Sequence, residues 1–179
     1  MSRLRLTGVA DTTRSKRDYW NRRCDEKWGS PFHGHFLDPV EVVEQMDKVN
    51  FEVIMSIARK LRISAGNEKK QYSVLEMACG IGRYTEVLLQ WFDKYVGVDF
   101  ATKNIEEANA LNTSEEATFH CADMLEFKTD EKFDLIFMVA AMSSIEESSQ
   151  EIVDHLSTML KPGGCIAIFE QELYMVKWR

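Results

Sequence analysis

The sequence predicts an α/β fold in which a doubly wound, mostly parallel sheet of five strands is covered by helices on both faces. Short apolar runs alternate along the chain with runs of helical period, which is typical of strand-helix-strand units. The apolar runs are continuous, as expected of strands that are buried on both faces. With 179 residues, of which 45% are hydrophobic, the chain is long enough to bury such a core in one domain.

A long helix is predicted before the sheet. Asp38 and Pro39 form a capping residue followed by a first-turn proline, the pattern with which helices often begin. Apolar residues then recur at helical spacing from Val42 to Leu61, and Gly66 follows at the expected end. We therefore expect a helix here that packs one face on the core.

Five strand-like runs follow the long helix. They are residues 72–77, 95–100, 117–122, 133–141 and 165–170. The first run leads into a predicted helix with Leu88 and Phe92 on one side, and Thr102 is expected to cap the helix after the second run. Ser148 and Glu151 form a capping box for the last helix. The segment LKPGG is expected to turn from that helix into the fifth strand.

Composition and charge narrow the classes of function. No apolar run approaches the ~18 residues that a membrane span needs, and the N-terminus lacks the apolar centre of a secretory signal. The sequence thus predicts a cytoplasmic protein, with a mitochondrial presequence as the weaker alternative. Residues 1–30 contain eight Lys or Arg and four Asp or Glu, a net charge of +4. Because the whole chain has a net charge of −7, the remaining residues carry a net charge of −11. An acidic body repels phosphate backbones, so nucleic acid is a less expected partner.

The turn after the first strand is built from small residues. Glu76 precedes Ala78, Gly80 and Gly82, and glycines let a backbone turn sharply and a ligand approach it closely. A dinucleotide fingerprint needs a third glycine where this chain has Thr85, and no phosphate-binding lysine follows the glycines. This turn therefore favours an adenosine-bearing ligand with few phosphates.

Acidic residues also follow the next two strands. Asp99 lies 23 residues after Glu76, where doubly wound nucleotide sites place an acid that accepts hydrogen bonds from ribose hydroxyls. Phe100 beside it offers an apolar face to a purine, and Asp123 with Met124 offers an acceptor for an exocyclic amine. A single acid after a strand is often only a cap or a solvated side chain. Three such acids at successive strand ends predict a binding site.

Taken together, these segments resemble the class I S-adenosylmethionine-dependent methyltransferases. VLEMACGIGR resembles their first motif, GVDF the ribose-binding acid, CADM the adenine-binding acid, FDLIFMVAAMSSI the fourth strand with its loop, and LKPGG the turn before the fifth. The resemblance covers residues 73–170 and implies a Rossmann-like core, S-adenosyl-L-methionine as cofactor and S-adenosyl-L-homocysteine as product. The residues that it places at the cofactor are Trp20, Glu76, Ala78, Gly80, Gly82, Arg83, Asp99, Phe100, Asp123, Met124 and Val139. It assigns no catalytic residue.

Two segments resemble particular methyltransferases. GIGR is similar to the alpha-N-terminal protein methyltransferases, in which the arginine pairs with the cofactor's carboxylate, whereas a solvated arginine is the alternative for Arg83. RDYWNRR is similar to the Tyr-Trp segment that covers the cofactor in thiopurine and N-terminal methyltransferases. Ordinary packing aromatics are the alternative for Tyr19 and Trp20. We therefore expect a basic arm and cofactor-covering segment over residues 1–37 and a methyltransferase-like α/β domain over residues 38–179.

The acceptor side is less defined. No Asn/Asp-Pro-Pro-Tyr sequence follows the fourth strand, which makes nucleobase and side-chain amide nitrogens less expected acceptors. The candidate acceptor-side residues are Ser143, Ser144, Glu170, Gln171, His33 and His35. The two histidines do not predict a metal site, and the four cysteines, which lack CxxC pairing, are expected to be reduced thiols.

The resemblance leaves two functions open. The chain ends nine residues after the predicted fifth strand, where the usual fold adds a helix and an antiparallel pair of strands. An open sheet edge is a liability in solution, so we expect a homodimer or a partner protein to cover it. The first function is methyl transfer to a small-molecule or peptide/protein nucleophile. The alternative is a weakly active or inactive methyltransferase-like scaffold in a larger assembly.

Overall fold

The computed structural model describes residues 13–25, 40–64, 71–142 and 149–170 of the chain. The elements are α1 (Thr13–Asp25), α2 (Val40–Ser64), β1 (Ser73–Met77), α3 (Thr85–Leu88), β2 (Lys94–Asp99), α4 (Thr102–Leu111), β3 (Ala117–Cys121), β4 (Phe133–Val139), α5 (Ser149–Ser157) and β5 (Leu160–Phe169). Asp38 and Ser148, which were predicted to begin helices, lie outside these ranges. None of the helices in the described ranges has the length and apolar character that crossing a membrane requires.

The five strands form one parallel sheet in the order β3-β2-β1-β4-β5. The chain runs from β1 outward through β2 to β3 and then returns to the other side of β1 as β4. The strand order therefore reverses between β1 and β4, and ligands of doubly wound sheets bind at the carboxyl ends of the strands beside such a reversal. This arrangement confirms the predicted fold class.

Apolar side chains cover both faces of the sheet. On the first face, Ile54 and Ala58 of α2 and Leu88 of α3 pack against Tyr95 and Phe137. The second face is covered by α5, whose buried residues pack on the strands; its core includes Leu75, Val96, Ile136, Ile152 and Leu156. The three central strands, β1, β2 and β4, read as continuous apolar runs because they are buried from both sides, whereas the edge strands β3 and β5 are partly exposed.

Three local predictions are wrong. Thr102 is the first residue of α4, and the cap position is Ala101, with no side-chain capping bond. The helix after β1 is only four residues long, and turns carry the chain on to Phe92. LKPGG is part of β5, because the ladder with β4 has a bulge in which Phe133 pairs with Leu160 and Leu135 already pairs with Cys165.

An ion pair with a buried carboxylate joins three strands at the amino edge of the sheet. Asp134 of β4 is 2% exposed. Its Oδ2 accepts hydrogen bonds from the backbone N–H of Ser73 at 2.9 Å and from Nζ of Lys161 at 2.6 Å. These contacts fix β1 and β5 on either side of β4. They lie at the edge opposite to the predicted binding site.

Candidate functional site

The chain leaves β1 through a turn of left-handed residues. Ala78 and Gly80 each have a φ of 56°, and Gly82 has a φ of 73°. A side chain in this region costs about 1–2 kcal/mol, which explains the two glycines and the small residue at position 78. A Cβ at Gly82 would also come within 2.8 Å of the Phe119 ring, whereas one at Gly80 would meet no atom within 4 Å. The turn is thus packed at Gly82 and open at Gly80.

Asp99 clasps this turn to the start of α4. Its Oδ2 accepts the backbone N–H of Gly80 at 2.9 Å, and its Oδ1 accepts the N–H of Ala101 at 2.8 Å and Nδ2 of Asn104 at 3.3 Å. The side chain is largely buried, and burial raises the pKa of Asp99 against the opposing effect of these three hydrogen bonds. The predicted ribose acid therefore also has a structural role, since it holds the ends of β1 and β2 together.

Glu76 is directed toward the core. It is 2% exposed, and its Oε2 accepts a hydrogen bond from the Tyr95 hydroxyl at 2.5 Å. Burial raises the pKa of Glu76 to about 8, although the Tyr95 hydrogen bond and the charge of Arg83 oppose the shift. Glu76 is therefore mostly protonated at neutral pH, and the sequence did not predict its pairing with Tyr95.

Arg83 is held by α2. Its guanidinium lies 3.1 Å from Oδ1 of Asp47 and donates to Oδ2 of Asp47 at 3.2 Å. The Tyr84 hydroxyl, which accepts a hydrogen bond from Arg83 at 3.2 Å, donates to Asp47 at 2.8 Å. The Arg83 side chain is only 19% exposed, so it is not the solvated arginine of the alternative interpretation. Its pairing with a cofactor carboxylate stays a prediction.

A cavity adjoins this ion pair. Its volume is about 310 Å³, and its lining includes Phe51 and Asp47 of α2, Arg83 in the turn, and Leu111 and Asn112 at the end of α4. Asn112 also donates a hydrogen bond from its side chain to the carbonyl of Ile81 at 3.4 Å. The cavity therefore lies between α2, the turn after β1 and the end of α4.

The third strand ends in a turn that Asp123 closes. Oδ1 of Asp123 accepts the N–H of Leu125 at 3.0 Å, and its carbonyl accepts the N–H of Phe127 at 2.9 Å. Met124 packs partly against the core on the α5 side of the sheet. Phe100, at the end of β2, is half-buried. The structure thus places these three predicted residues at the carboxyl ends of β2 and β3, and their contact with adenine stays a prediction.

The fourth strand ends as the first does. Val139 is half-buried and pairs with Phe169 of β5, and Ala140 after it has a φ of 54°. The Ala140 N–H donates to the carbonyl of Phe169 at 2.8 Å. Glu170 is exposed, and its carboxylate accepts the N–H of Met142 at 2.6 Å. The left-handed residue after β4 was missed from sequence, although a small residue directly after a strand was the available signal.

Other acceptor-side predictions cannot be placed on the structure, because their residues lie outside the described ranges. These residues are His33, His35, Ser143, Ser144 and Gln171. Within the described ranges, no group of three or more His, Cys, Asp or Glu side chains is arranged to hold a metal ion.

Helix α1 packs against α4, beside the end of β2. Asn21 of α1 accepts the backbone N–H of Lys103 at 3.0 Å through its Oδ1. Trp20 is half-buried and makes an edge-to-face contact with Tyr19, with ring centroids 5.3 Å apart. The segment predicted to cover the cofactor thus lies next to the helix that follows Asp99. Asn21 was missed because a lone polar residue in a helix carries no signal in one sequence.

Comparison with known proteins places this site in a family context. Residues 74–164 match the family described as Methyltransferase domain. The chain is similar to malonyl-[acyl-carrier protein] O-methyltransferase 1 of Ilyobacter polytropus, with 32% identity over 119 residues that cover 65% of this chain and 44% of that protein. It is also similar to phosphoethanolamine N-methyltransferase 1 of Triticum aestivum, with 31% identity over 104 residues that cover 55% and 21%. The chain spans less than half the length of these relatives.

A solved structure has a similar fold. It is the N-methyltransferase NodS from Bradyrhizobium japonicum WM9 in complex with S-adenosyl-L-homocysteine. The TM-score is 0.60 at 21% identity, and the match covers 83% of this chain and 71% of that chain.

Proposed function

Because the chain belongs to the class I S-adenosylmethionine-dependent methyltransferase family, we propose that it binds S-adenosylmethionine at the carboxyl ends of β1, β2 and β3 and transfers its methyl group to a small-molecule nucleophile. S-adenosylmethionine is the cofactor of this family. The match to the family includes the turn after β1, Asp99 and Asp123.

The hydrogen bond from the Gly80 N–H to the Asp99 carboxylate carries the proposal. An ionised carboxylate has about four acceptor positions, and three of those on Asp99 are used by Gly80, Ala101 and Asn104. One position is left for a ribose hydroxyl. The open space beside Gly80 allows a ligand to approach the backbone at the same point. The residues present therefore fit an adenosine-bearing cofactor.

The bound cofactor supplies an electrophilic methyl group on a sulfonium. The chain's own contribution is to hold the acceptor in line with that methyl and to take up a proton when the acceptor is an amine or hydroxyl. Among the acceptor-side residues predicted from sequence, Glu170 lies in the described ranges, at the end of β5 beside Met142. A carboxylate at this place supports proton uptake.

The relatives support oxygen or nitrogen as the nucleophile, either on a small molecule or on a small group carried by a protein. One is named as an O-methyltransferase of malonyl-[acyl-carrier protein] and another as an N-methyltransferase of phosphoethanolamine. The curated relatives are named as methyltransferases, which favours an active enzyme over a scaffold. A panel of small carboxylates, phenols and amines, incubated with methyl-labelled S-adenosylmethionine, identifies the acceptor class by the label in the product.

Calorimetric titration with S-adenosylhomocysteine tests the binding site. Asp99→Ala removes a charged hydrogen-bond acceptor, and hydrogen bonds to charged groups contribute about 1.5–3 kcal/mol. We therefore expect the affinity of this variant for S-adenosylhomocysteine to fall by roughly 10- to 100-fold. Asp130→Ala, in an exposed loop, is the matched control and should bind as the wild type does. Circular dichroism of each variant separates lost binding from lost folding. A folded wild-type protein that takes up no S-adenosylhomocysteine at millimolar concentration would contradict the proposed function.

A further inference from the structure

The cavity beside the ion pair of Asp47 and Arg83 extends away from the proposed ribose site. Its lining includes Leu111 and Asn112, at the C-terminal end of α4, whereas Asp99 adjoins the N-terminal end of the same helix. At about 1.5 Å per residue, the two ends of this helix are about 14 Å apart. The cavity volume of about 310 Å³ lies at the lower end of the range for small-molecule pockets.

Part of the cavity wall is apolar. Phe51 of α2, Ile81 of the turn and Leu111 of α4 belong to the lining. Leu111 is 59% exposed and Phe51 is half-buried. An exposed leucine on its own needs no explanation, but this one stands at a cavity with two other apolar side chains. A ligand with an apolar body would remove these surfaces from water, which is favourable.

The charges that line the cavity do not cancel. Asp47 and Arg83 form an ion pair, with a nitrogen and an oxygen 3.1 Å apart, and so neutralise each other. Glu86 is exposed, and its side chain forms no ion pair or hydrogen bond with another residue in the described ranges. The cavity wall therefore carries one net negative charge, on the carboxylate of Glu86.

The side-chain amide of Asn112 adds a second acceptor to the wall. Its Nδ2 donates to the carbonyls of Ala108 at 2.9 Å and of Ile81 at 3.4 Å, which uses both of its N–H groups. Its Oδ1 points away from these carbonyls and has no donor among the residues that the structure describes. The lining thus offers a carboxylate and an amide oxygen that both require a donor.

We infer that this cavity is a second ligand site, which binds a small primary amine with an apolar body. The ammonium group pairs with the acceptors of Glu86 and Asn112, and the apolar body packs on Phe51 and Leu111. An ammonium has three donors and no acceptor, so it matches a wall that offers acceptors and one negative charge. A carboxylate or phosphate ligand is disfavoured, since it has the same sign of charge as Glu86. This site is additional to the proposed function, because binding of the cofactor does not require it.

A titration followed by the amide signals in NMR spectra tests this site at pH 7. The probe is 2-phenylethylamine, which is a cation at this pH, as a lysine side chain is. In 2-phenylethanol a neutral hydroxyl replaces the ammonium on the same apolar body, and in 3-phenylpropionate an anion replaces it. We expect the amine to bind roughly two- to fivefold more tightly than the alcohol, as for an exposed ion pair, and the anion to bind most weakly. The amine should shift the amide signals of Leu111 and Asn112.

Two pairs of variants provide matched comparisons. Glu86→Gln should remove the preference for the amine over the alcohol, whereas Glu107→Gln, which changes an exposed acid in α4, should keep it. Leu111→Ala should weaken both ligands by roughly two- to fivefold through lost apolar contact. Val49→Ala should change neither affinity, because Val49 is also 59% exposed but does not line the cavity. Circular dichroism of each variant separates lost binding from lost folding.

The same titrations with S-adenosylhomocysteine present separate this inference from the proposed function. Unchanged binding of the amine supports a second site. Displacement of the amine by S-adenosylhomocysteine would show that the cavity belongs to the cofactor site and would overturn the inference alone. Equal affinities of the wild type for the three probes, or unshifted signals of Leu111 and Asn112, would overturn it without relying on any variant. A protein that binds the amine at these residues but no S-adenosylhomocysteine supports the inference and contradicts the proposed function.

Discussion

Replacing Glu76 by glutamine should abolish a large pH dependence of stability. Glu76 lies in the core, where its carboxyl group accepts a hydrogen bond from Tyr95. A glutamine amide has nearly the shape of a protonated carboxyl group, and its oxygen can accept the same hydrogen bond. It cannot ionise. Glu76→Gln therefore removes a proton equilibrium while the packing around Tyr95 is kept.

The magnitude follows from the pKa of Glu76, which burial raises from its ordinary value of 4.5 to about 8 in the folded protein. Because the folded-state value is the higher one, the stabilising contribution of the protonated form is fully present below about pH 4.5. It is lost as the pH rises through 8. Each pKa unit corresponds to about 1.4 kcal/mol. Between pH 6 and pH 8, the wild type should lose about 2 kcal/mol relative to Glu76→Gln.

Urea unfolding at pH 6, 7 and 8, followed by circular dichroism, measures this difference. This range stays above the sequence pI of about 5.2, near which solubility is lowest. The exposed carboxyl group of Glu131, changed in Glu131→Gln, provides the control, whose free energy of unfolding should track that of the wild type. If the difference in free energy of unfolding between the wild type and Glu76→Gln is the same at all three pH values, Glu76 is ionised in the folded protein and the reasoning is refuted.

Two further predictions concern stability. Ala78→Gly should raise the free energy of unfolding by about 1 kcal/mol, because glycine tolerates the φ of 56° at this position. Ala108→Gly, inside α4, is the control and should lower the free energy of unfolding. A lower free energy of unfolding in Ala78→Gly would contradict the assigned backbone conformation. Asp134→Ala should cost about 3–5 kcal/mol because it leaves Lys161 without its buried partner. Glu131→Gln, which breaks an exposed pair, should change stability by less than about 1 kcal/mol; similar losses in both variants, measured by urea unfolding, would refute this distinction.

Much of the fold could be predicted because burial on both faces leaves a direct trace in the sequence. The strand from Phe133 to Val139 is apolar at nearly every position, and its position beside β1 is the one that a doubly wound sheet requires. Helix starts were harder to predict. Thr102 has the chemistry of a cap, but the chain enters α4 one residue earlier, and the N–H of Ala101 is satisfied by Asp99 instead. LKPGG has turn residues, and a bulge uses the same residues within a strand.

The candidate site could be predicted only where its residues follow strands. Asp99 and the small residues before Gly82 stand at such positions, so their type and spacing were informative. The residues that pair with Arg83 and Glu76 could not be predicted from the sequence. Asp47 is 36 residues from Arg83 in sequence, and Tyr95 is 19 residues from Glu76. Which face a helix turns toward a strand depends on tertiary packing, and a single sequence does not record these pairs.

The ion pair of Asp134 with Lys161 affects which parts of the sheet can tolerate sequence changes, whether in evolution or by engineering. It ties β4 to β5 at the edge where the strands begin, and the same carboxylate holds the first amide of β1. Register is therefore set at one end of the strands, while the turns that would meet a ligand lie at the other. Backbone amides near Asp134 should be among the slowest to exchange with deuterium, and exposed amides in the turns at the other end of the strands should exchange faster. Loops at the fast-exchanging end can be lengthened or replaced to suit a new acceptor while the strands keep their alignment.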